Sequence, residues 1–325
     1  MLVGCKEQYA YSLVFTSDFE YGNDISYVVS YDKKGNILDT SKIDGALYYN
    51  VNAIDGGLYL SNGKADYYLN NDLEIEAQNL NKQNNGIIEI GDTFAYQNHM
   101  INIHNYGYKN AEEYITKISS NDNNEVVIVN GWNLNYVVFN NYLYMLVRVK
   151  NSIEMSIVDL DIFKVINTIP IESIAMDTEI FGLKLYPIKN SMVYFEVLNG
   201  DKTLCYINID NFTVDKYSIE SESSIIPYSI FDSDGKLFYI SKNKEIICIE
   251  NDILDYTGIK LPDDWGTYLL TKKYDNYLYV FDSGNNLYRM MVIDLKEEKI
   301  IDNVNFELSK QTKNLDAFSF HVLNH

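Results

Sequence analysis

Few residues in this chain are equipped for chemistry. Among 325 residues there are two tryptophans and four histidines. Trp132 follows Asn130-Gly131, and Trp265 stands in Asp263-Asp264-Trp265-Gly266. An aromatic ring at a pocket rim suits stacking on a sugar or an apolar side chain. The same rings packed between structural elements is an alternative that the sequence leaves open. His99 and His104 share a stretch, residues 99–113, that also carries Tyr106 and Tyr108. A metal would need these imidazoles together with converging carboxylates. A separation of five residues is no recognised ligand spacing, so no metal site is expected. A second polar stretch, residues 18–24, is acidic and includes Glu20 and Tyr21. His321 lies in Phe318-Ser319-Phe320-His321-Val322.

Several reaction classes are argued against by missing patterns. There is no Gly-x-Ser-x-Gly elbow for a hydrolase. Asp232-Ser233-Asp234-Gly235 and Asn121-Asp122-Asn123-Asn124-Glu125 look like fragments of calcium loops. Neither has the full oxygen-ligand series with a distal Glu, and both fit ordinary hairpin turns. The 46 acidic residues are so scattered that no catalytic carboxylate pair stands out. Catalytic residues therefore stay unknown, and no cofactor is expected.

The formal charge is −20. Nucleic-acid binding needs concentrated Lys and Arg, and so does adsorption to anionic lipid, so neither partner is expected. There are three cysteines. Cys205 and Cys248 sit inside apolar runs and read as small buried hydrophobes. Cys5 differs. Leu2-Val3-Gly4-Cys5 matches the lipobox of bacterial lipoproteins, and Lys6-Glu7-Gln8 fits the start of a mature chain. No basic or apolar leader precedes it. A trimmed signal, an internal start or a chance match are the open readings. A real lipobox would place the chain at the extracellular face of a bacterial membrane, held there by acyl chains on Cys5. Residues 1–8 would then be a tether remnant and residues 9–325 one domain.

The elements that must position these residues are announced by a recurring phrase: an Asx/Gly turn, one residue, an apolar residue and an aromatic. It reads Asp55-Gly56-Gly57-Leu58-Tyr59, Asn140-Asn141-Tyr142-Leu143-Tyr144, Asp234-Gly235-Lys236-Leu237-Phe238 and Asp275-Asn276-Tyr277-Leu278-Tyr279. Weaker copies are Asp92-Thr93-Phe94 and Asn190-Ser191-Met192-Val193-Tyr194. Tyr occurs 29 times and Phe 14 times, which favours pleated, half-buried strands. A period of roughly 40–50 residues is that of β-propeller blades. Seven candidate second strands follow: residues 11–15, 58–60, 94–96, 143–147, 192–197, 237–240 and 278–281. Six of them have an inner strand before them, at 47–51, 87–90, 135–139, 181–186, 225–231 and 268–272. The missing inner strand is supplied by residues 318–322, which would pair with the N-terminal blade and close the ring.

On these repeats the chain resembles the seven-bladed β-propellers of the WD40-like or quinoprotein-like superfamily, including secreted bacterial proteins with YncE-like repeats. The resemblance implies an all-β ring of four-stranded antiparallel blades, with six or eight blades still open. The Gly-His and Trp-Asp signatures of WD40 repeats, the sialidase Asp boxes and the quinoprotein tryptophan motif are absent. Propeller ligands bind the face made by loops entering the inner strands and loops joining second to third strands. Trp132, Trp265, His99, His104, Tyr106, Tyr108, Glu20 and Tyr21 are expected on that face, and His321 near the central channel. Two functions fit. One is a non-catalytic, monomeric surface scaffold for a protein, peptide or glycan ligand. The other is a propeller lyase or glycan-active hydrolase with its site at the channel mouth.

Overall fold

A computed structural model describes residues 9–16, 25–45, 47, 52–54, 57–61, 66–70, 74–78, 91–97, 99–108, 113–120, 126–171, 179–198, 201–218, 226, 229–233, 235–250, 253–266, 269–284, 287–313 and 315–323. No α-helix occurs among them. Their strands pair into seven four-stranded antiparallel sheets. The first contains β1 (Tyr11–Thr16), β2 (Ile25–Tyr31), β3 (Ile37–Asp44) and, on the far side of β1, the C-terminal β28 (Asp316–Val322). Next come β4 (Asn52–Ile54), β5 (Gly57–Ser61), β6 (Asp66–Leu69) and β7 (Ile75–Gln78). The third sheet is β8 (Gly91–Tyr96), β9 (His99–Tyr108), β10 (Tyr114–Ser120) and β11 (Val126–Asn130). The fourth is β12 (Trp132–Phe139), β13 (Tyr142–Val149), β14 (Ser152–Asp159) and β15 (Lys164–Pro170). The fifth is β16 (Glu179–Ile188), β17 (Ser191–Leu198), β18 (Asp201–Asn208) and β19 (Val214–Ser218). The sixth is β20 (Phe231–Ser233), β21 (Lys236–Ile240), β22 (Glu245–Glu250) and β23 (Ile253–Lys260). The last is β24 (Leu269–Tyr274), β25 (Tyr277–Asp282), β26 (Arg289–Asp294) and β27 (Lys299–Asn305).

The burial pattern within a sheet follows from stacking sheet on sheet. The second strand β13 is apolar on both faces, because a neighbour covers each. The fourth strand β15 keeps its side chains largely in water. In β11, Val127 and Val129 are buried while Val126 and Ile128 are exposed, the period-2 alternation of a half-covered strand. Among the described residues, six apolar clusters each fill the gap between two consecutive sheets. One joins Leu13, Phe15 and Phe320 of the first sheet to Phe281 and Met290 of the last. Another joins Val14 and Val28 to Leu58 and Leu60 of the second sheet. The second and third sheets meet where β4 lies against β8. The protein is an all-β β-propeller of four-stranded antiparallel blades.

The recurring phrase is a hairpin turn. Asn140 and Asn141 both hold positive φ, 49° and 65°, and join β12 to β13 as a two-residue type I′ turn. Outer hairpins turn on an Asx side chain. Asp159 accepts from the amides of Asp161 and Ile162 at 2.9 and 3.1 Å, and Asp294 from those of Lys296 and Glu297, both at 3.0 Å.

Three expectations need correction. Residues 94–96 belong to the first strand of their sheet, β8, not to its second. The equivalent turn lies at Gln97, whose φ is 49°, where Tyr96 pairs with His99. The stretch from His99 is therefore no loop: residues 99–108 are β9, paired on both sides. Trp132 does not precede its inner strand but begins it. Of the strand expected at 47–51, residues 48–51 lie outside the described residues; the inner strand described in that sheet is β4 (Asn52–Ile54). Residues 87–90 lie outside the described residues.

Candidate functional site

Where the third sheet meets the fourth, a cleft of about 780 Å³ opens to solvent. Glu113, Tyr114, Asn130, Gly131, Trp132 and Arg148 line it, and Leu134, Val149 and Lys150 complete the wall. The floor is a tight crossing of chains. Thr116 Oγ donates to the Gly131 carbonyl at 2.8 Å and accepts from the Asn133 amide at 3.1 Å. Asn105 accepts from the same amide at 2.9 Å and donates to the Asn133 carbonyl at 3.3 Å. These bonds fasten β9 and β10 of one sheet to the start of β12 in the next. Gly131 is required here. Its φ is +104°, and a Cβ would fall 2.7 Å from the Arg148 carbonyl oxygen.

This clasp presents Trp132 to solvent. The indole is 42% exposed. It leans on Tyr114, with ring centroids 4.6 Å apart and planes at 45°. Across the β12–β13 pair, Trp132 stands opposite Arg148. Arg148 is half-buried, and its Nε is shielded from water and has no hydrogen-bond partner among the described residues. Asn133 Oδ1, one residue from the indole, is in the same state. Arg148, Lys150 and Glu113 give the cleft wall a local formal charge of +1 on a chain whose net charge is −20.

The other expected site residues do not gather here. Trp265 is only 6% exposed and belongs to the apolar cluster between the last two sheets. Its ring lies under the Arg289 guanidinium, 5.3 Å away. Asp282, fully buried, accepts from the Gly266 and Gly284 amides at 3.1 and 3.0 Å and from Arg289 at 2.7 Å. Arg289 also reaches Asp264 at 2.6 Å. Burial alone would lower the Arg289 pKa, but its bonds to Asp264 and Asp282 hold it above the ordinary value. Lys244 donates to the Gly266 carbonyl, and burial lowers its pKa despite the Asp282 charge. Trp265 is therefore a wedge in a structural latch, not a rim residue.

His99 is exposed beside the β8–β9 turn. Tyr108, paired with Tyr114, ends the same strand at the cleft. Nine strand steps separate His99 from Tyr108, roughly 30 Å at the usual rise, so His99 is at the opposite end of the sheet from Trp132. His104 is mid-strand, opposite Gly91 and Lys117. Burial first, and then the Lys117 charge, push its pKa down to about 4. The side chains of Tyr106 and Tyr108 lie outside what is described, as do Glu20, Tyr21 and Cys5.

His321 is 1% exposed. The Lys272 ammonium lies 3.2 Å from both ring nitrogens, and Ser319 Oγ lies 3.2 Å from Nε2. Burial, followed by the Lys272 charge, holds the imidazole well below its ordinary pKa, so it stays neutral. His321 is therefore a buried side chain and not one open to the channel solvent. No cluster of three or more metal-ligating side chains occurs among the described residues. Nor is any helix among them long and apolar enough to cross a membrane.

Arg148 and Tyr114, which line the cleft, and Asn105 and Thr116, which fasten the chain beside it, are residues that sequence reasoning missed. The available signal was Asn130-Gly131-Trp132 itself: a Gly before a Trp at a strand start implies a close crossing chain.

No family model matches this sequence, and no curated protein matches it. Solved structures do. The computationally designed Ika8 protein aligns at a TM-score of 0.56 and 9% identity, over 92% of this chain and 88% of that one. Dihydro-heme d1 dehydrogenase NirN aligns at 0.54 and 10%, over 93% of this chain and 64% of that one. Kuenenia stuttgartiensis hydrazine synthase aligns at 0.53 and 10%, over 82% and 90%. Propeller proteins stand among these neighbours. A designed protein, a dehydrogenase and a synthase share the likeness, so it shows the fold alone.

Proposed function

We propose that this protein is a binding or interaction scaffold, a ring of seven blades whose ligand enters the cleft beside Trp132. The observation that carries the reading is the half-exposed indole held by the Gly131 crossing. Large rings are usually buried, and this one is supported from beneath and presented to solvent. One blade per sheet and the pairing of β28 with β1 support the seven-fold count. The reading is non-catalytic, and the burial of His321, the histidine expected near the channel, supports it. The Leu2-Val3-Gly4-Cys5 pattern supports an extracellular protein anchored through Cys5.

The test is a glycan-and-peptide binding screen of the wild type beside Trp132→Ala. Hits that vanish in the variant support the reading. Hits that all survive in the variant overturn it.

A further inference from the structure

Building on that reading of the cleft, we propose that it recognises a ring that bears a carboxylate: the ring stacks on Trp132 and the carboxylate pairs with Arg148. The strongest sign is the state of Arg148. Among the described residues its guanidinium has no hydrogen-bond or ion-pair partner, although Nε is fully shielded from water. Forty-six carboxylates are present in the sequence, yet Arg148 pairs with none of the described ones. Contrast Arg289, also partly buried: its Nε is likewise shielded and unpartnered, but its terminal nitrogens hold two carboxylates, whereas those of Arg148 hold none of the described ones. A shielded, unmatched N–H is costly, and a carboxylate arriving from outside would satisfy it with a charge-assisted bond.

The planar guanidinium fork fits a carboxylate in two-point fashion. Trp132 stands directly opposite Arg148 in the strand pair, so a ligand held by the fork is set against the indole. Charge limits the ligand. The surrounding −20 disfavours a polyanion, and Glu113 on the wall disfavours a second negative group close by. One carboxylate per ring is the chemistry that fits.

A uronate sugar and an aromatic acid both carry this chemistry, and titration separates them. The probes are methyl galacturonoside with its methyl ester, and indole-3-acetate with indole-3-acetamide, titrated calorimetrically into the full chain. At least one acid is expected to bind more tightly than its uncharged partner, by about ten- to a hundredfold. Arg148→Gln should erase that preference, leaving acid and neutral form alike. Arg148→Lys should restore part of it, and thermal melts confirm that both variants fold. Whichever acid shows the preference identifies the source. Equal binding of acid and neutral forms, or a preference that survives Arg148→Gln, overturns the carboxylate assignment while leaving the cleft a binding site. Failure of both acids overturns the assignment too, and the broader screen alone then decides the cleft. Binding that survives Trp132→Ala overturns both.

Discussion

Replacing Asp282 with Ala should be among the most damaging single changes in the protein. Its carboxylate is fully buried and meets three donors: the Gly266 amide, the Gly284 amide and Arg289. Removal strands two amides and leaves the enclosed guanidinium with Asp264 alone, whose side chain is 68% exposed. Breaking a buried pair by deleting one partner costs about 3–5 kcal/mol. The cost here should sit near the middle, about 4 kcal/mol, because Asp264 remains while the two amides are lost. At about 2.1 cal/mol/K per residue, unfolding 325 residues carries about 0.7 kcal/mol/K, so the melting midpoint should fall by about 6 °C. Asp282→Asn keeps an acceptor for the amides but loses the charge, and should fall in between. Asp264→Ala, at the surface, should cost under about 1 kcal/mol. The assay is thermal unfolding followed by circular dichroism. A midpoint for Asp282→Ala within about a degree of wild type would refute the latch.

Further outcomes follow from burial and charge. Trp265→Ala should destabilise by about 3–5 kcal/mol, and Trp132→Ala by less than about 1 kcal/mol, in denaturant titrations; equal losses would contradict the contrast drawn between the two rings. His104, with its pKa held near 4 in the fold, stays neutral where the unfolded chain binds a proton. Its contribution is complete above the unfolded pKa and is lost as pH falls from about 6.5 towards 4. It should cost about 2 kcal/mol between pH 7 and pH 5, and His104→Gln should lose less over that interval; parallel pH dependences would contradict it. Cys205 and Cys248 are buried thiols outside any disulfide and should react with a thiol reagent only after unfolding.

Much of the scaffold was legible because the hairpin turn repeats chemically. Asn140-Asn141 needs positive φ, Asx tolerates it, and the strand that follows must be apolar on both faces. The third sheet was misread because its turn is Gln97, a residue with no such preference, while Asp92-Thr93-Phe94 imitates the phrase inside a strand. The site was half legible. Trp132 was identified from its place before an apolar run, but that rule selected Trp265 equally. What separates them is Asp282 and Arg289, distant in sequence and close in space. The clasp beneath Trp132 likewise joins Asn105 to Asn133, 28 residues apart, which no local pattern reveals.

The most direct measurement takes the strongest ligand from the binding screen and titrates it against wild type and Trp132→Ala, then recovers the ligand for mass spectrometry. The account predicts one site per chain, an affinity that collapses in the variant, and a ligand returned unchanged. Undiminished binding by Trp132→Ala, or a chemically altered ligand whose conversion stops in His321→Ala, would contradict it.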